Sequence, residues 1–463
     1  MVSKMHDIAR QSQQKIHKQK ILHPATSICA LEADGPRKIA DAQGIHVTDA
    51  DGHKAIDGIA GLWCANVGHG RAEIADAMRD AALKLDYFHT FGGHTNDMQE
   101  ALADELIAMA PEGLSHVFFG CSGSDANDTL VKIAWQYNAM RGKPEKRKII
   151  SRWQAYHGTS ISTASLTGLK SFHKAFGLPL DFVKHTDFPH FYSQAEDGED
   201  ETAFSARLLS RLEQLIEEEG ADTIASFIGE PIMGAGGVVT PPEGYWQGIQ
   251  DICRRNDILI IADEVVCGYG RTGHNFGSGL YGIKPDMMAT AKGLTAGIFP
   301  MSAAFISHEI HDVMRTASRK LGGFSHGYTY SGHPVGAAVA LKVLEIMKRE
   351  QLVENAATTG AYFHQQLREA FKGHAHVGEI RGAGLVAAIQ LMADADSKTF
   401  LDPTRKLAAK VSEECYRRGL VTRPLPTMSS LALSPPLTLA RGDVDDIVEI
   451  TKAGIDAVMA AGS

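Results

Sequence analysis

Apolar residues fall into two patterns that alternate along the middle of this chain. Short continuous runs, as in "TIASFIGEPI" (223–232) and "ILIIADEVV" (258–266), predict strands that are buried on both faces. Between them, "FSARLLSRLEQLIEEEG" (204–220) spaces its apolar residues at helical intervals and ends on Gly220, which predicts an amphipathic helix. Buried strands that alternate with helices indicate an α/β fold with a parallel sheet.

The same two patterns continue on either side of these segments. Apolar runs predict strands at 115–120 and 287–291, and a strand with its loop at 148–158. Helical spacing predicts helices at 96–113, 125–140 and 245–257. The acidic stretch "QAEDGEDET" (194–202) is expected to be an exposed loop. The middle of the chain should therefore form one sheet covered by helices.

Both ends of the chain depart from this alternation. "GIHVTDADGHKAIDGIAG" (44–61) alternates apolar and polar residues around Asp51-Gly52, which predicts a β-hairpin. From about residue 331, shorter segments follow a long helix at 336–350; they are 381–391, 405–419, 420–424 and a final helix from about 443. We expect these segments and the hairpin to form a smaller α+β domain. The predicted division is an N-terminal segment 1–65 that contributes to the small domain, a large domain 66–330, and a C-terminal small domain 331–463.

Composition narrows the class of protein. The chain has 463 residues, of which 44% are hydrophobic and 22% charged, and a net charge of −9. This is typical of a soluble globular protein and argues against binding to nucleic acid or to an anionic membrane surface. The N-terminal "MVSKMHDIARQSQQKIHKQK" lacks the apolar core of a secretory signal, and no apolar run reaches the roughly 18 residues of a membrane span. Six scattered cysteines without a C-x-x-C pair predict reduced, buried thiols and a cytoplasmic protein.

Candidate chemistry gathers where the predicted strands end, which is where ligands bind in open parallel sheets. In "GCSGSDAN", a Gly/Ser loop leads from a strand into a helix, so N–H groups near Gly123 and Ser124 could bind an anion. A helix N-cap at Ser124 or Asp125 explains the same residues equally well. Tyr156, at the end of the next strand, could stack on a planar ring or be a core residue.

Charged residues close the later strands. Glu230 follows one apolar run, and Asp263 and Glu264 follow the next. A carboxylate at the end of a buried strand is costly unless a cation faces it, although an N-cap explains either Asp263 or Glu264. In "DMMATAKGLTAG" (286–297), an apolar lead-in ends near Lys292, which could be a surface lysine or a lysine held for covalent chemistry.

One ligand explains these residues together. A phosphate would sit on Gly123 and Ser124, and a pyridinium ring would stack on Tyr156. The ring nitrogen would face Asp263 and the aldehyde carbon would meet Lys292, as expected for pyridoxal 5'-phosphate. A carboxylate about 4 Å from a pyridinium gains on the order of 4 kcal/mol at an effective dielectric constant near 20, which keeps the ring protonated and able to accept electrons. A dry lysine beside that cation has a lowered pKa and can act as nucleophile and base.

These residues resemble the class III aminotransferases. The resemblance rests on "IIADEVVCGYGRTG" through "PDMMATAKGLTAG", and on "FFGCSGSDAN", "AYHG", "GEPIMGAGG" and "HGYTYSGHP". It covers the chain from roughly residue 30 to the C-terminus. "GLWCANVGHG", "RWQAYHG" and "TRPL" resemble the branch called omega-transaminases, or amine:pyruvate aminotransferases. The resemblance implies fold type I, an α/β large domain with a mostly parallel seven-stranded sheet plus a smaller α+β domain formed by the N- and C-terminal segments.

The resemblance also implies roles for individual residues. Lys292 would be the Schiff-base lysine, and Asp263 would pair with the pyridine nitrogen. The other cofactor contacts would come from Gly123, Ser124, Tyr156, His157, Glu230, Val265 and, across a homodimer with shared active sites, Thr329. The substrate pocket would be formed by Trp63, Phe91, Tyr156 and Arg423, with Arg423 binding a substrate carboxylate. Without the resemblance, Trp63 and Val265 would be core residues and Arg423 a surface arginine.

The activity that the resemblance implies is a ping-pong amino transfer from an omega-amino acid or primary amine to pyruvate, which gives alanine. Alternatives are 2-oxoglutarate as the acceptor, or a pyridoxal aminomutase. A nicotinamide-dependent dehydrogenase is disfavoured, because the Gly/Ser loop "GCSGSDAN" that leads from strand to helix is not a G-x-G-x-x-G motif. Gly92 stands where some relatives carry a second aromatic residue after Phe91, which leaves the amine donor open. The spacing of His69, His89, His94 and His157 fits no set of metal ligands, so no metal site is predicted.

Overall fold

The structure is a computed structural model, which describes residues 20–462. Most of the N-terminal stretch whose character was predicted above, residues 1–19, lies outside the described residues. The strands are β1 Ile39–Gln43, β2 His46–Asp49, β3 Lys54–Asp57, β4 Leu114–Gly120, β5 Lys148–Arg152, β6 Val183–Thr186, β7 Ile224–Gly229, β8 Leu259–Asp263, β9 Met287–Thr290, β10 Ser302–Ser307, β11 Val377–Ala383, β12 Val386–Asp394, β13 Thr399–Phe400, β14 Leu420–Val421, β15 Arg423–Leu425 and β16 Ser430–Leu433.

Helices connect and cover these strands. They are α1 Ile28–Asp34, α2 Ala72–Lys84, α3 Asp97–Met109, α4 Gly123–Met140, α5 Ile161–Leu166, α6 Phe191–Gln194, α7 Glu201–Glu219, α8 Tyr245–Arg255, α9 Gly277–Tyr281, α10 His308–Leu321, α11 Pro334–Arg349, α12 Leu352–Ala370, α13 Leu407–Arg417 and α14 Arg441–Gly462. A distorted turn, Ala60–Trp63, and short 3-10 segments lie between them. Within residues 20–462, no helix combines the length and apolarity that a bilayer crossing requires.

The central sheet has seven strands within the described residues, in the order β4-β10-β9-β8-β7-β5-β6. Strands β9, β8, β7, β5 and β6 pair in parallel, while β10 is antiparallel to both β4 and β9. The prediction of a mostly parallel seven-stranded sheet is therefore confirmed. The antiparallel β10 was not predicted as a strand from the sequence.

The continuous apolar runs form the middle of this sheet, as expected for strands buried on both faces. Every residue of β7, β8 and β9 is buried. Helix α7 packs its apolar face, which includes Phe204, Leu208, Leu212 and Ile216, into the core that lies on one side of the sheet. Helix α7 therefore shields from water the strands that end at the candidate site residues.

Two smaller sheets join the chain ends. The predicted hairpin exists as β2 and β3, and β3 pairs in parallel with β14, Ile56 opposite Leu420. The hairpin therefore meets the C-terminal part of the chain, as predicted. The second sheet runs β11-β12-β16-β15 and holds Arg423 in register with Ala432. The domain boundaries at 65/66 and 330/331 stay a prediction.

Several local predictions differ from the structure. The strand predicted at 258–266 ends at Asp263, because the chain turns there so that Val265 N–H donates to Asp263 Oδ1. The segment 381–391 is parts of two strands, β11 and β12, joined at Gly384, whose φ of +55° favours a turn. The thiols were predicted to be buried. Cys253, Cys267 and Cys415 are buried, but Cys29 is exposed and Cys64 and Cys121 are half-buried, because they lie outside the sheet core.

Candidate active site

Five polar residues meet at the carboxyl ends of the parallel strands, and we call them the polar floor: Asn127, His157, Glu230, Asp263 and Lys292. Asp263 is the last residue of β8, and Glu230 directly follows β7. His157 lies in the loop after β5, and Lys292 follows β9. Because neighbouring parallel strands end at one edge of the sheet, these residues converge there.

Asp263 is the centre of the polar floor. Its side chain is buried, and its Oδ2 accepts hydrogen bonds from Asn127 Nδ2 and His157 Nδ1, both at 2.7 Å. Its Oδ1 accepts the backbone N–H of Val265 at 3.1 Å. Asn127 also donates to the backbone carbonyl of His157 at 2.9 Å. These donors fix the carboxylate in one orientation and compensate its removal from water.

Lys292 is half-buried and opens a 3-10 turn, with a φ of +47°. Burial lowers the pKa of Lys292, because the charged ammonium is poorly solvated there; Cys64 and Asp263 act in the opposite direction. In the described part of the chain, no hydrogen bond or ion pair is formed by its ammonium group. A lowered pKa of this kind favours nucleophilic chemistry by a lysine.

Glu230 connects two loops of the site. It is buried, and its two oxygens accept the backbone N–H groups of Tyr156 at 3.1 Å and Gly234 at 2.8 Å. Burial raises the pKa of Glu230, while the neighbouring His157 imidazole lowers it. The carboxylate thereby fixes the backbone beneath Tyr156.

The start of helix α4 forms an anion cradle. Its N-cap is Ser122, not the Ser124 or Asp125 considered from sequence, because Asp125 instead completes a capping box by accepting the N–H of Ser122. The N–H groups of Gly123 and Ser124, in the first helical turn, have no partner within the helix. A Cβ on Gly123 would lie 2.9 Å from Val265 Cγ2, so only glycine lets the cradle and Val265 approach this closely.

The substrate residues predicted from the resemblance fall into two groups. Trp63, Tyr156 and Arg423 form the first. The Trp63 ring lies 5.6 Å from the guanidinium carbon of Arg423. Burial raises the pKa of Tyr156, while the positive charge of Arg423 lowers it. Burial lowers the pKa of Arg423, and its buried Nε has no hydrogen-bond partner among residues 20–462. This guanidinium has donors left for a ligand.

Phe91 and Thr329 form the second group. They belong to an exposed surface that we call the aromatic ledge, formed by Tyr87, Phe88, Phe91, Thr329 and Tyr330. Tyr87 Oη donates to the backbone carbonyl of Thr329 at 2.8 Å. The Phe91 ring faces Gly327 and pairs with His89; in the described chain no ring contact joins it to Trp63 or Tyr156. The ring contacts of the described chain therefore do not connect Phe91 with the other predicted pocket residues.

Sequence reasoning missed two residues of the site. Asn127 lies four residues after Gly123 on the same helix, so helical spacing would have placed it on the face of the cradle. Cys64 follows Trp63 and was treated as one of the scattered thiols, yet it influences the pKa of Lys292. Among residues 20–462, no group of three or more His, Cys, Asp or Glu side chains is placed to hold a metal ion.

Comparison with known sequences agrees with this arrangement. A sequence model of the family "aminotransferase class-III" matches residues 31–455. Similar proteins include a diaminobutyrate–2-oxoglutarate transaminase of Halomonas elongata, 44% identical over 92% of this chain and 91% of that protein. A putrescine–pyruvate aminotransferase of Pseudomonas aeruginosa is 38% identical over 95% of both chains.

Comparison with solved structures gives the same result. The omega transaminase of Pseudomonas jessenii in complex with PMP superimposes with a TM-score of 0.92 and is 42% identical, over 95% of this chain and 96% of that one.

Proposed function

We propose that this chain, which belongs to the class III aminotransferases, transfers an amino group from an omega-amino acid or a primary amine to pyruvate, giving alanine. The observation that carries the choice of acceptor is Arg423, a half-buried guanidinium whose Nε has no partner in the described chain. Such a group favours a carboxylate that can accept two parallel hydrogen bonds.

The family's cofactor is pyridoxal 5'-phosphate, and the residues present fit it. The free N–H groups of Gly123 and Ser124, in a cradle that a Cβ on Gly123 would fill, suit a phosphate. We assign the ring nitrogen to Asp263, the ring faces to Tyr156 and Val265, and the ring hydroxyl side to Glu230. When bound, the cofactor supplies a carbonyl that condenses with amines and a ring that accepts electrons.

The chain's own contribution is proton transfer and charge. We assign covalent attachment of the cofactor and then movement of the substrate proton to Lys292 Nζ, whose lowered pKa suits a base. Asp263, fixed by Asn127 and His157, provides the negative charge that keeps a ring nitrogen protonated. The buried strands beneath exclude water, which strengthens these interactions.

We favour pyruvate over 2-oxoglutarate because Arg423 is close enough to the site for its positive charge to lower the pKa of both Tyr156 and Lys292. A single guanidinium matches a substrate with one carboxylate. The rival acceptor has support of its own, since the Halomonas relative is named for 2-oxoglutarate. An aminomutase would form product without any added oxo acid, which the test below also detects.

We also propose a cytoplasmic homodimer with shared active sites. The aromatic ledge carries Phe91 and Thr329 yet is exposed in one chain, with Phe88 48%, Phe91 49% and Tyr330 59% exposed. A second copy that covers the ledge would bring both residues to a site, in the way the family resemblance implies. All six cysteines are unpaired, in keeping with a reducing compartment.

The test is a panel of amine donors with pyruvate or 2-oxoglutarate, in which alanine or glutamate is measured. Arg423→Ala should raise the KM for pyruvate by about 100-fold, because a bidentate charged hydrogen bond contributes roughly 3 kcal/mol, and should affect an uncharged amine far less. Arg441→Ala is the matched control, since Arg441 also stacks on an aromatic ring, Tyr362, at 5.0 Å.

Three results would contradict the proposal. They are a higher kcat/KM for 2-oxoglutarate than for pyruvate, equal losses for pyruvate and amine in Arg423→Ala, and product formation without an oxo acid.

A further inference from the structure

The turn that carries Trp63 has a backbone that its residues do not favour. Ala60 has a φ of +46° and Trp63 a φ of +61°, in the left-handed region where a Cβ is crowded. Gly61 lies between them, with a φ of +68° and ψ of −82°. A bend of this kind persists only where its surroundings hold it.

Asp57 supplies that support. It is the last residue of β3 and is buried. Its Oδ1 accepts the N–H of Ile59 at 3.2 Å, and its Oδ2 accepts the N–H of Gly61 at 2.6 Å. One carboxylate therefore satisfies two backbone donors on the entry side of the bend.

His69 holds Asp57 from another part of the chain. Its Nε2 lies 2.8 Å from Asp57 Oδ2 and donates to it. The backbone of His69 exchanges two hydrogen bonds with Gly44, of 2.8 and 3.0 Å. The imidazole is thus anchored independently of the turn, so it fixes the carboxylate from outside.

The Trp63 ring has no polar anchor of its own. Its Nε1 is buried without a hydrogen-bond partner in the described chain. The ring lies so close to Gly234 that a Cβ there would be 2.4 Å from Trp63 Cζ3, and it faces Arg423 at 5.6 Å. Its position is therefore set by packing and by the bend of the backbone beneath it.

We propose that Asp57 and His69 form a positioning pair that fixes the Trp63 ring and thereby limits the size of the amine that the site accepts. The inference rests on the proposed place of Trp63 in the substrate pocket. The pair acts through the turn at Ala60–Trp63 and touches neither substrate nor cofactor.

The test uses His69→Leu in the holoenzyme, since this change removes the support of Asp57 and spares the carboxylate. The kcat/KM values of 1-phenylethylamine and isopropylamine are measured with pyruvate, and their ratio is compared. If the pair were only structural, His69→Leu would change the amount of folded enzyme. That amount cancels in the ratio of the two kcat/KM values. We expect it to rise roughly threefold or more, through KM, because a loosened ring yields to the larger amine.

Two variants control for other causes. His69→Gln offers an amide donor to Asp57 and should restore the ratio. His374→Leu breaks a matched pair outside the site, since His374 Nε2 also lies 2.8 Å from an aspartate oxygen, that of Asp456, and should leave the ratio unchanged. A ratio that stays the same in His69→Leu, or that changes equally in His374→Leu, overturns the proposal.

A double-mutant cycle tests the route through Trp63. Trp63→Gly alone should raise the ratio, and adding His69→Leu should then change it no further. An equal effect of His69→Leu in both backgrounds overturns the proposal. If Trp63→Gly leaves the ratio unchanged, the pocket role of Trp63 fails with it, whereas the transfer of amino groups to pyruvate, measured as alanine, still stands.

Discussion

The polar floor and the aromatic ledge carry residues assigned to the same function, yet their surroundings differ. Asp263, Glu230 and His157 are each 2% exposed, and each makes hydrogen bonds to other parts of the site. Phe91 and Tyr330 are 49% and 59% exposed. Their rings contact neighbouring aromatic rings, those of His89 and Tyr87 respectively. The buried carboxylates and the imidazole of the polar floor find their hydrogen-bond partners within one chain, whereas the aromatic side chains of the ledge are exposed.

The difference follows from the cost of burying polar groups. A carboxylate in the interior must have its donors, so the fold that buries Asp263 also has to supply them. Aromatic side chains carry no such requirement, and a surface of them can be completed by another copy of the chain. Variants of the floor should therefore act within one chain, and variants of the ledge should act on the partner's site.

The largest effect should come from Lys292→Ala. Loss of the nucleophile and proton carrier should lower the rate of alanine formation by about 10⁴-fold or more and remove the visible absorbance of the bound cofactor. Lys284→Ala is the control, since Lys284 is exposed and lies before strand β9, whereas Lys292 follows it. Full turnover by Lys292→Ala would refute the assignment.

Asp263→Asn should have the next largest effect. The amide keeps an acceptor but loses the charge, and the loss of about 4 kcal/mol corresponds to roughly a 10³-fold slower reaction. Asp286→Asn is the matched control, because Asp286 accepts the N–H of Ile260 at the opposite edge of the sheet. A rate within tenfold of the unmodified enzyme would show that the charge of Asp263 is not used.

Thr329→Asp tests the ledge. A carboxylate facing a phosphate should repel it and lower activity by about 100-fold at limiting cofactor. If Thr329 serves the partner's site, mixed dimers of Thr329→Asp with Lys292→Ala contain one site with both changes and one with neither.

Such mixed dimers should therefore be far more active than either parent, as measured after co-purification with two tags. Absence of recovery would mean that Thr329 acts in its own chain or in no site. Thr329→Ser, which keeps the hydroxyl, is the control.

The smallest effect is expected for Gly123→Ala. The added Cβ would lie 2.9 Å from Val265 Cγ2, so the cradle or Val265 must shift, and the affinity for pyridoxal 5'-phosphate should fall about tenfold. Cofactor titration followed by absorbance measures this. Gly442→Ala is the control, since nothing lies within 4 Å of its Cβ position. Recovery in the double variant with Val265→Ala would identify the contact; an unchanged affinity in Gly123→Ala would contradict it.

The sheet was predictable because its signal is local. The apolar runs that became β7, β8 and β9 are continuous in sequence and buried in the structure, and the polar residues that close them stand at the predicted strand ends. Strand β10 was missed, although its residues are almost all buried, because its antiparallel pairing with β4, a strand far away in the sequence, leaves no local signal.

The site was predictable only in part, because only some of its residues have a local signal in the sequence. Lys292, Asp263 and the cradle at Gly123 stand beside elements that the pattern of apolar residues locates, so the sequence alone determined that they meet at one edge of a sheet. Only the tertiary structure decided what holds them. Asn127 and His157 reach Asp263 from other elements, and His69 reaches Asp57 across the distorted turn. Hydrogen bonds between distant segments depend on how the elements pack, and the periodicity of apolar residues does not predict that packing.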